Sequence, residues 1–282
     1  MKKFVTTSLI TALAFSALGV PSAQASTPVI CLAYDTGGPG DLSVNDAAQA
    51  GLKVAAKKMQ FTLETTVTSG DAKDRIDRLT ALVKKDCAIV IAVGTGYAAT
   101  LKELSRTFPE TQFAILNDAT VDALNVTSIV FADIQGAYLA GYAAALASKS
   151  GKVAMVGYAS QKELFEKGFA PGAKAAKKSV VTTVKYISSS ASVTTTSLLR
   201  SGHDVIYLTT TGSATEVFSA IVTSNSANRK KNPSGIITIE PDQFLSVDAE
   251  TKKFVLATVV KRVDLALIDL LTKTLTGTSL YD

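Results

Sequence analysis

The chain has one histidine and two cysteines among 282 residues, and that scarcity removes most reactive chemistry at the outset. A structural zinc site draws on several Cys or His ligands at close spacing, and no such cluster exists here. His203 stands in Ser201-Gly202-His203-Asp204, directly ahead of an apolar run, which puts it at the amino end of a strand. No nucleophile elbow of the hydrolase kind occurs. Strong charge of one sign is also missing. The formal net charge is +5, and the longest basic run is Arg229-Lys230-Lys231, so nothing suggests a nucleic-acid partner. Beyond residue 25 no apolar run is long enough to cross a membrane.

What is present begins with an address. Lys2 and Lys3 precede an apolar stretch from Phe4 to Val20, Pro21 breaks it, and Ala23-Gln24-Ala25 offers small residues where a signal peptidase cuts. The expectation is a signal peptide over 1–25, cleaved after Ala25, and a periplasmic mature protein. Cys31 follows Val29-Ile30, which is no lipobox, so no lipid anchor is expected. Removing Lys2 and Lys3 lowers the formal charge of +5 by two. Cys31 and Cys87 each open an apolar run, and two states stay open: a disulfide in an oxidising compartment, or two buried thiols.

From residue 29 onward short β-branched runs alternate with polar breaks and helix-period segments. Strands are predicted at 29–34, 61–67, 88–93, 112–116, 126–131, 152–157, 182–187, 204–209, 235–239 and 254–260. Helices are predicted near 45–58, 71–84, 97–107, 135–149, 163–178, 192–200, 213–227 and 263–276. Continuous apolar strands such as Ala88-Ile89-Val90-Ile91-Ala92-Val93 belong to parallel sheets covered on both faces. The pattern predicts a doubly wound α/β architecture in two lobes.

In such sheets a ligand binds beyond the carboxyl ends of the strands. The residues there include Asp35, Tyr97, Asn117, Asp118, Thr211, Gly212, Asp242 and Lys261. They come from both halves of the chain, which implies one cleft shared by two lobes. Val126–Phe131 follows another strand with no helix between, and it reads as a segment crossing from one lobe to the other. Gly94-Thr95-Gly96-Tyr97-Ala98-Ala99 has the form of a dinucleotide fingerprint, with Asp118 about 20 residues further on. It belongs to the third strand rather than the first, and an exported chain is remote from NAD. No cofactor is expected, and the chain is read as a binding protein and not an enzyme.

Tyr34-Asp35-Thr36-Gly37-Gly38, Asp41-Leu42-Ser43-Val44-Asn45 and Gly51-Leu52 resemble the opening of the basic membrane protein family of ABC-importer solute-binding proteins. The likeness continues through Gln135-Gly136-Ala137-Tyr138-Leu139-Ala140-Gly141, Phe165-Glu166-Lys167-Gly168-Phe169 and Val259-Val260-Lys261-Arg262-Val263-Asp264. It implies the type I periplasmic-binding-protein fold, two doubly wound parallel-sheet lobes closing about a hinge. The lobes would comprise 26–128 plus about 240–257, and 129–239 plus about 258–282. It implies a purine-nucleoside-like ligand and an ABC permease as partners, with a ligand sensor of the same fold as the alternative. Asn45 and the polar pair Asn117-Asp118 would read the base edge, and Phe165 would stack on the base. Asp242 and Lys261 would hold the ribose hydroxyls. Val44 stands where relatives carry Phe, so the resemblance supplies only one stacking wall.

Overall fold

The computed structural model describes residues 26–41, 43–210, 214–228, 232–240 and 242–280. The expected signal peptide, Thr211 and Gly212 lie outside the described residues.

Among the described residues, ten strands and eight long helices follow the predicted order. The first half runs β1 (Val29–Tyr34), α1 (Val44–Ala55), β2 (Thr62–Val67), α2 (Ala72–Val83), β3 (Ile89–Val93), α3 (Ala98–Thr107), β4 (Phe113–Leu116) and β5 (Val126–Ile129). The second half runs α4 (Asp133–Ala147), β6 (Lys152–Gly157), α5 (Lys162–Ala176), β7 (Val181–Tyr186), α6 (Ala191–Arg200), β8 (Val205–Leu208), α7 (Ala214–Asn228) and β9 (Gly235–Ile239). Two one-turn helices, α8 (Gln243–Ser246) and α9 (Ala249–Lys252), lead to β10 (Val255–Val259) and α10 (Val263–Thr276). Sequence periodicity missed α8 and α9, because one helical turn is shorter than the pattern that reveals a helix. Each begins at an aspartate cap: the Asp242 carboxylate accepts from the Phe244 amide, and Asp248 accepts from the Glu250 and Thr251 amides.

The strands form two five-stranded parallel sheets, ordered β2-β1-β3-β4-β5 and β10-β9-β8-β6-β7. Read from the opposite edge, the second sheet has the same winding as the first. Both reverse direction between their first and third strands, and such a reversal opens a crevice at the carboxyl ends. The central strands β3 and β4 are buried throughout, as their unbroken apolar runs require.

Val126–Phe131 does cross between lobes. Its first four residues pair with β4 in the first sheet, and the chain then enters α4 of the second lobe. The division of the C-terminal segment is the reverse of the expectation. β10 pairs with β9 in the second sheet, so 240–257 belongs with the second lobe. α10 packs on α1: Val263, Leu267, Leu270 and Leu271 are buried in one cluster with Leu52 and Ile91 of the first lobe. Gly51 makes that packing close, since a β-carbon there would lie 2.8 Å from the Asp264 backbone. Helical periodicity shows that α10 has a buried face and not which sheet buries it.

Cys31 and Cys87 form a disulfide joining β1 to the start of the neighbouring β3 run. Of the two states left open by the sequence, the structure has the bonded one.

In the second lobe α4 and α5 touch backbone to backbone. A β-carbon on Gly141 would fall 2.0 Å from the Phe169 carbonyl oxygen, and one on Gly172 would fall 1.9 Å from that of Tyr138. Alanine normally improves a helix relative to glycine by about 1 kcal/mol. Here the added methyl has no room, so Gly172→Ala is expected to destabilise by roughly 2–3 kcal/mol. Urea unfolding checks the sign; a stabilised variant would contradict the packing.

Candidate functional site

The carboxyl ends of both sheets face a cavity of about 630 Å³. Asp35, Gly94 and Asn117 line it from the first lobe, where each directly follows a strand. Phe131 and Asp133 line it from the crossing after β5, and Lys261 from the crossing after β10. Phe165, Thr209, Thr210 and Glu240 complete it from the second lobe. A cavity of about 590 Å³ lies between α7 and the α8–α9 turns. From the first lobe only Asp41 lines it, no lining residue directly follows a strand, and there is neither a lysine nor an arginine among them. The interlobe cavity is therefore the candidate site.

On the first-lobe wall, Asp35 Oδ1 accepts from Arg75 Nη2 at 2.7 Å and from the Thr36 amide at 2.9 Å. Arg75 comes from α2, and its Nη1 donates to the Gly70 carbonyl at 2.6 Å. The guanidinium also lies 5.2 Å from the Tyr97 ring centroid. Gly94 has φ +96°, and a β-carbon there would meet Asp35 Oδ2 at 2.9 Å, so two reasons converge on glycine. Asn117 adopts a left-handed φ of 64°, which asparagine tolerates better than most residues.

The centre of the site is a three-charge group. Lys261 Nζ lies 2.8 Å from Asp133 Oδ1 and 3.4 Å from Glu240 Oε1, with all three side chains largely buried. The same ammonium donates to Asn117 Oδ1 at 3.4 Å, joining first-lobe and second-lobe residues. It also lies 5.7 Å from the Phe131 ring centroid. Burial, with Asp133 beside it, pushes the Glu240 carboxyl above the usual carboxylate range, and the Lys261 charge opposes that rise. Phe165 is held edge-on to Tyr207 at 6.3 Å, and Tyr207 stacks on Phe169 at 5.6 Å. Burial and the nearby Glu240 and Asp133 charges push the Tyr207 phenol up.

Several sequence expectations need correcting. Asn45 is buried and does not line the cavity. Its carbonyl oxygen accepts from the Asp35 amide at 3.0 Å, and its amide donates to Asp41 Oδ2 at 2.7 Å. It shapes the β1–α1 loop instead of facing a ligand. Tyr97 is fully buried, its hydroxyl donating to the Tyr34 carbonyl at 2.8 Å. Burial pushes that phenol to about 12. Asp118 closes a turn onto the Thr120 amide and hydroxyl, both at 2.7 Å, and leaves the cleft position to Asn117. Asp242 caps α8 and accepts from the Thr258 hydroxyl at 3.0 Å. The cleft carboxylate on this strand is Glu240, two residues earlier.

Asp35, Asn117, Phe165 and Lys261 do reach the cavity. Glu240 was within reach of the strand-end rule, since it immediately follows β9 as Asp35 follows β1. Phe131 and Asp133 lie just after β5, but the strand predicted at 126–131 ran two residues past Ile129 and so hid the strand end that would have pointed to them.

A family model described as ABC transporter substrate-binding protein, PnrA-like, matches residues 29–281. The ABC transporter nucleoside-binding protein BmpA of Lactococcus lactis subsp. cremoris is 29% identical over 258 residues, 86% of this chain and 74% of that protein. The CD4+ T-cell-stimulating antigen of Listeria innocua is 31% identical over 267 residues, 88% and 74% of the two chains. Among solved structures, an ABC transporter solute-binding protein from Aeropyrum pernix K1 superposes with a TM-score of 0.74 at 20% identity. It covers 89% of this chain and 71% of that one, a likeness of fold alone.

Proposed function

This chain belongs to the PnrA-like family of ABC transporter substrate-binding proteins, and we propose that its interlobe cleft takes a purine nucleoside or a closely similar solute. The observation that carries the reading is one cavity bearing two kinds of recognition. Phe131 and Phe165 offer aromatic surface for a heterocycle. Asp133, Glu240 and Lys261 offer two hydroxyl acceptors and a donor within 3.4 Å of one nitrogen, which suits the vicinal hydroxyls of a pentose. Phe131 takes the place of the stacking wall that Val44 cannot provide. The cavity volume falls within the range of small-molecule sites.

The chain works as a binding protein of the periplasm, handing its ligand to a membrane permease, and performs no turnover. The Cys31–Cys87 disulfide supports an oxidising compartment. Contacts from both lobes favour a closed state only when both are engaged.

Calorimetry with inosine, adenosine, hypoxanthine and ribose tests the ligand class. Nucleosides are expected to bind at least about 100-fold more tightly than base or sugar alone, because each fragment forfeits one set of contacts worth roughly 3 kcal/mol. Equal affinity for ribose and inosine would refute base recognition, and absence of nucleoside binding would refute the ligand class.

A further inference from the structure

The floor of the cleft holds two carboxylates and one ammonium. The other cation at the site, Arg75, is committed to Asp35 and to the Gly70 carbonyl. With every group ionised, Asp133, Glu240 and Lys261 would carry one uncompensated negative charge in a largely buried place, which desolvation makes costly. Asp133 is the better placed of the two acids to stay ionised. It has the shorter contact to Lys261, 2.8 Å against 3.4 Å, and it sits in the first turn of α4, where the helix dipole favours an anion. Glu240 has neither advantage. Its Oε2 is buried with no hydrogen-bond partner, and so is the Tyr207 hydroxyl from the neighbouring strand β8.

We propose that Glu240 holds a proton in this cleft and that a bound solute keeps the proton in place. The inference rests on the nucleoside reading of the same site. The groups facing Glu240 are Lys261 after β10, Asp133 on α4 and Tyr207 on β8; Asp242, two residues along, is turned to the α8 cap. A protonated Glu240 gives the floor an O–H donor beside the Lys261 ammonium. A ligand filling the cleft removes water from this group and so penalises the carboxylate further. The direction follows: binding takes up a proton from solvent wherever Glu240 is ionised in the free protein, and affinity falls as pH rises.

The test uses inosine as the probe and calorimetry in two buffers of different ionisation enthalpy, at roughly pH 5 to 9. The parent is expected to take up a fraction of a proton on binding, with affinity falling by up to about tenfold per pH unit above the midpoint. Glu240→Gln should show no uptake and a flat pH profile. Inosine binding without uptake in the parent, or uptake surviving in Glu240→Gln, would overturn the proposal. If inosine does not bind at all, it is the nucleoside reading that fails. The proton is then judged on the ligand-free protein by infrared spectroscopy. A carboxylic-acid carbonyl band at neutral pH, absent in Glu240→Gln, supports it, and no such band in the parent overturns it.

Discussion

Replacing Lys261 by methionine is expected to abolish nucleoside binding and to lower the thermal stability of the ligand-free protein at neutral pH. The ammonium is the shared partner of Asp133, Glu240 and Asn117, within 2.8 to 3.4 Å of each. Methionine keeps most of the apolar stem and removes only the charge. Breaking a buried ion pair on one side costs on the order of 3–5 kcal/mol, because the remaining charge is left uncompensated. For a protein of this size that corresponds to a fall in Tm on the order of 10 °C. The loss has a definite pH dependence. In the folded parent the Glu240 carboxyl binds its proton more tightly than in the unfolded chain, since burial raises it. Stability therefore rises as pH falls from above the folded value toward the ordinary carboxylate range. Without Lys261 that rise is steeper, so the gap between variant and parent narrows on acidification. Scanning calorimetry at several pH values decides it. A variant with parental Tm and parental inosine affinity would show that the ammonium is a surface charge rather than the centre of the site.

Removing the disulfide is expected to have a comparable effect on the first lobe alone. Cys31 and Cys87 are 56 residues apart, and closing a loop of that length lowers the entropy of the unfolded chain by about 4 kcal/mol at room temperature. The loop holds α1, β2 and α2, so its constraint falls wholly within the first sheet and its helices. Cys31 is fully buried on β1, and alanine there leaves a small gap instead of an unsatisfied polar group. The Cys31→Ala, Cys87→Ala double variant should therefore unfold at a Tm lower by about 10 °C, and reductant should shift the parent but not the variant. A parent insensitive to reductant, with a variant of equal stability, would mean that the bond carries no stabilising constraint. Nucleoside affinity at room temperature should change little in the variant, because the bond lies away from the carboxyl ends of the strands that carry the site.

Most of the architecture was legible in the chain itself, and the reason is periodicity. Ile89-Val90-Ile91-Ala92-Val93 could only be a strand covered on both faces, and the regular alternation of such runs with helix-period segments forces parallel crossovers. The crossing at Val126–Phe131 announced itself because no helix precedes it. Asp35, Asn117 and Lys261 were found by position: each follows a strand, and strand ends are where a doubly wound sheet presents side chains to solvent.

Tertiary structure alone decided three matters. It assigned α10 to the first lobe, because periodicity shows only that the helix has an apolar face, and the packing of Val263, Leu267, Leu270 and Leu271 with Leu52 and Ile91, close at Gly51, decides what covers it. It moved the second-lobe carboxylate from Asp242 to Glu240: both are acids at the end of β9, but the backbone turns into α8 at Asp242 and spends its carboxylate on a cap. It withdrew Asn45 and Tyr97 from the cleft, because a side-chain amide or phenol can satisfy either a ligand or the protein's own backbone with the same atoms. Sequence determines which groups are available and which faces are apolar. Where one carboxylate lies 2.8 Å from a lysine and another 3.4 Å away with an oxygen unpartnered, the outcome depends on distances between residues far apart in the chain and on different elements, which local pattern does not carry.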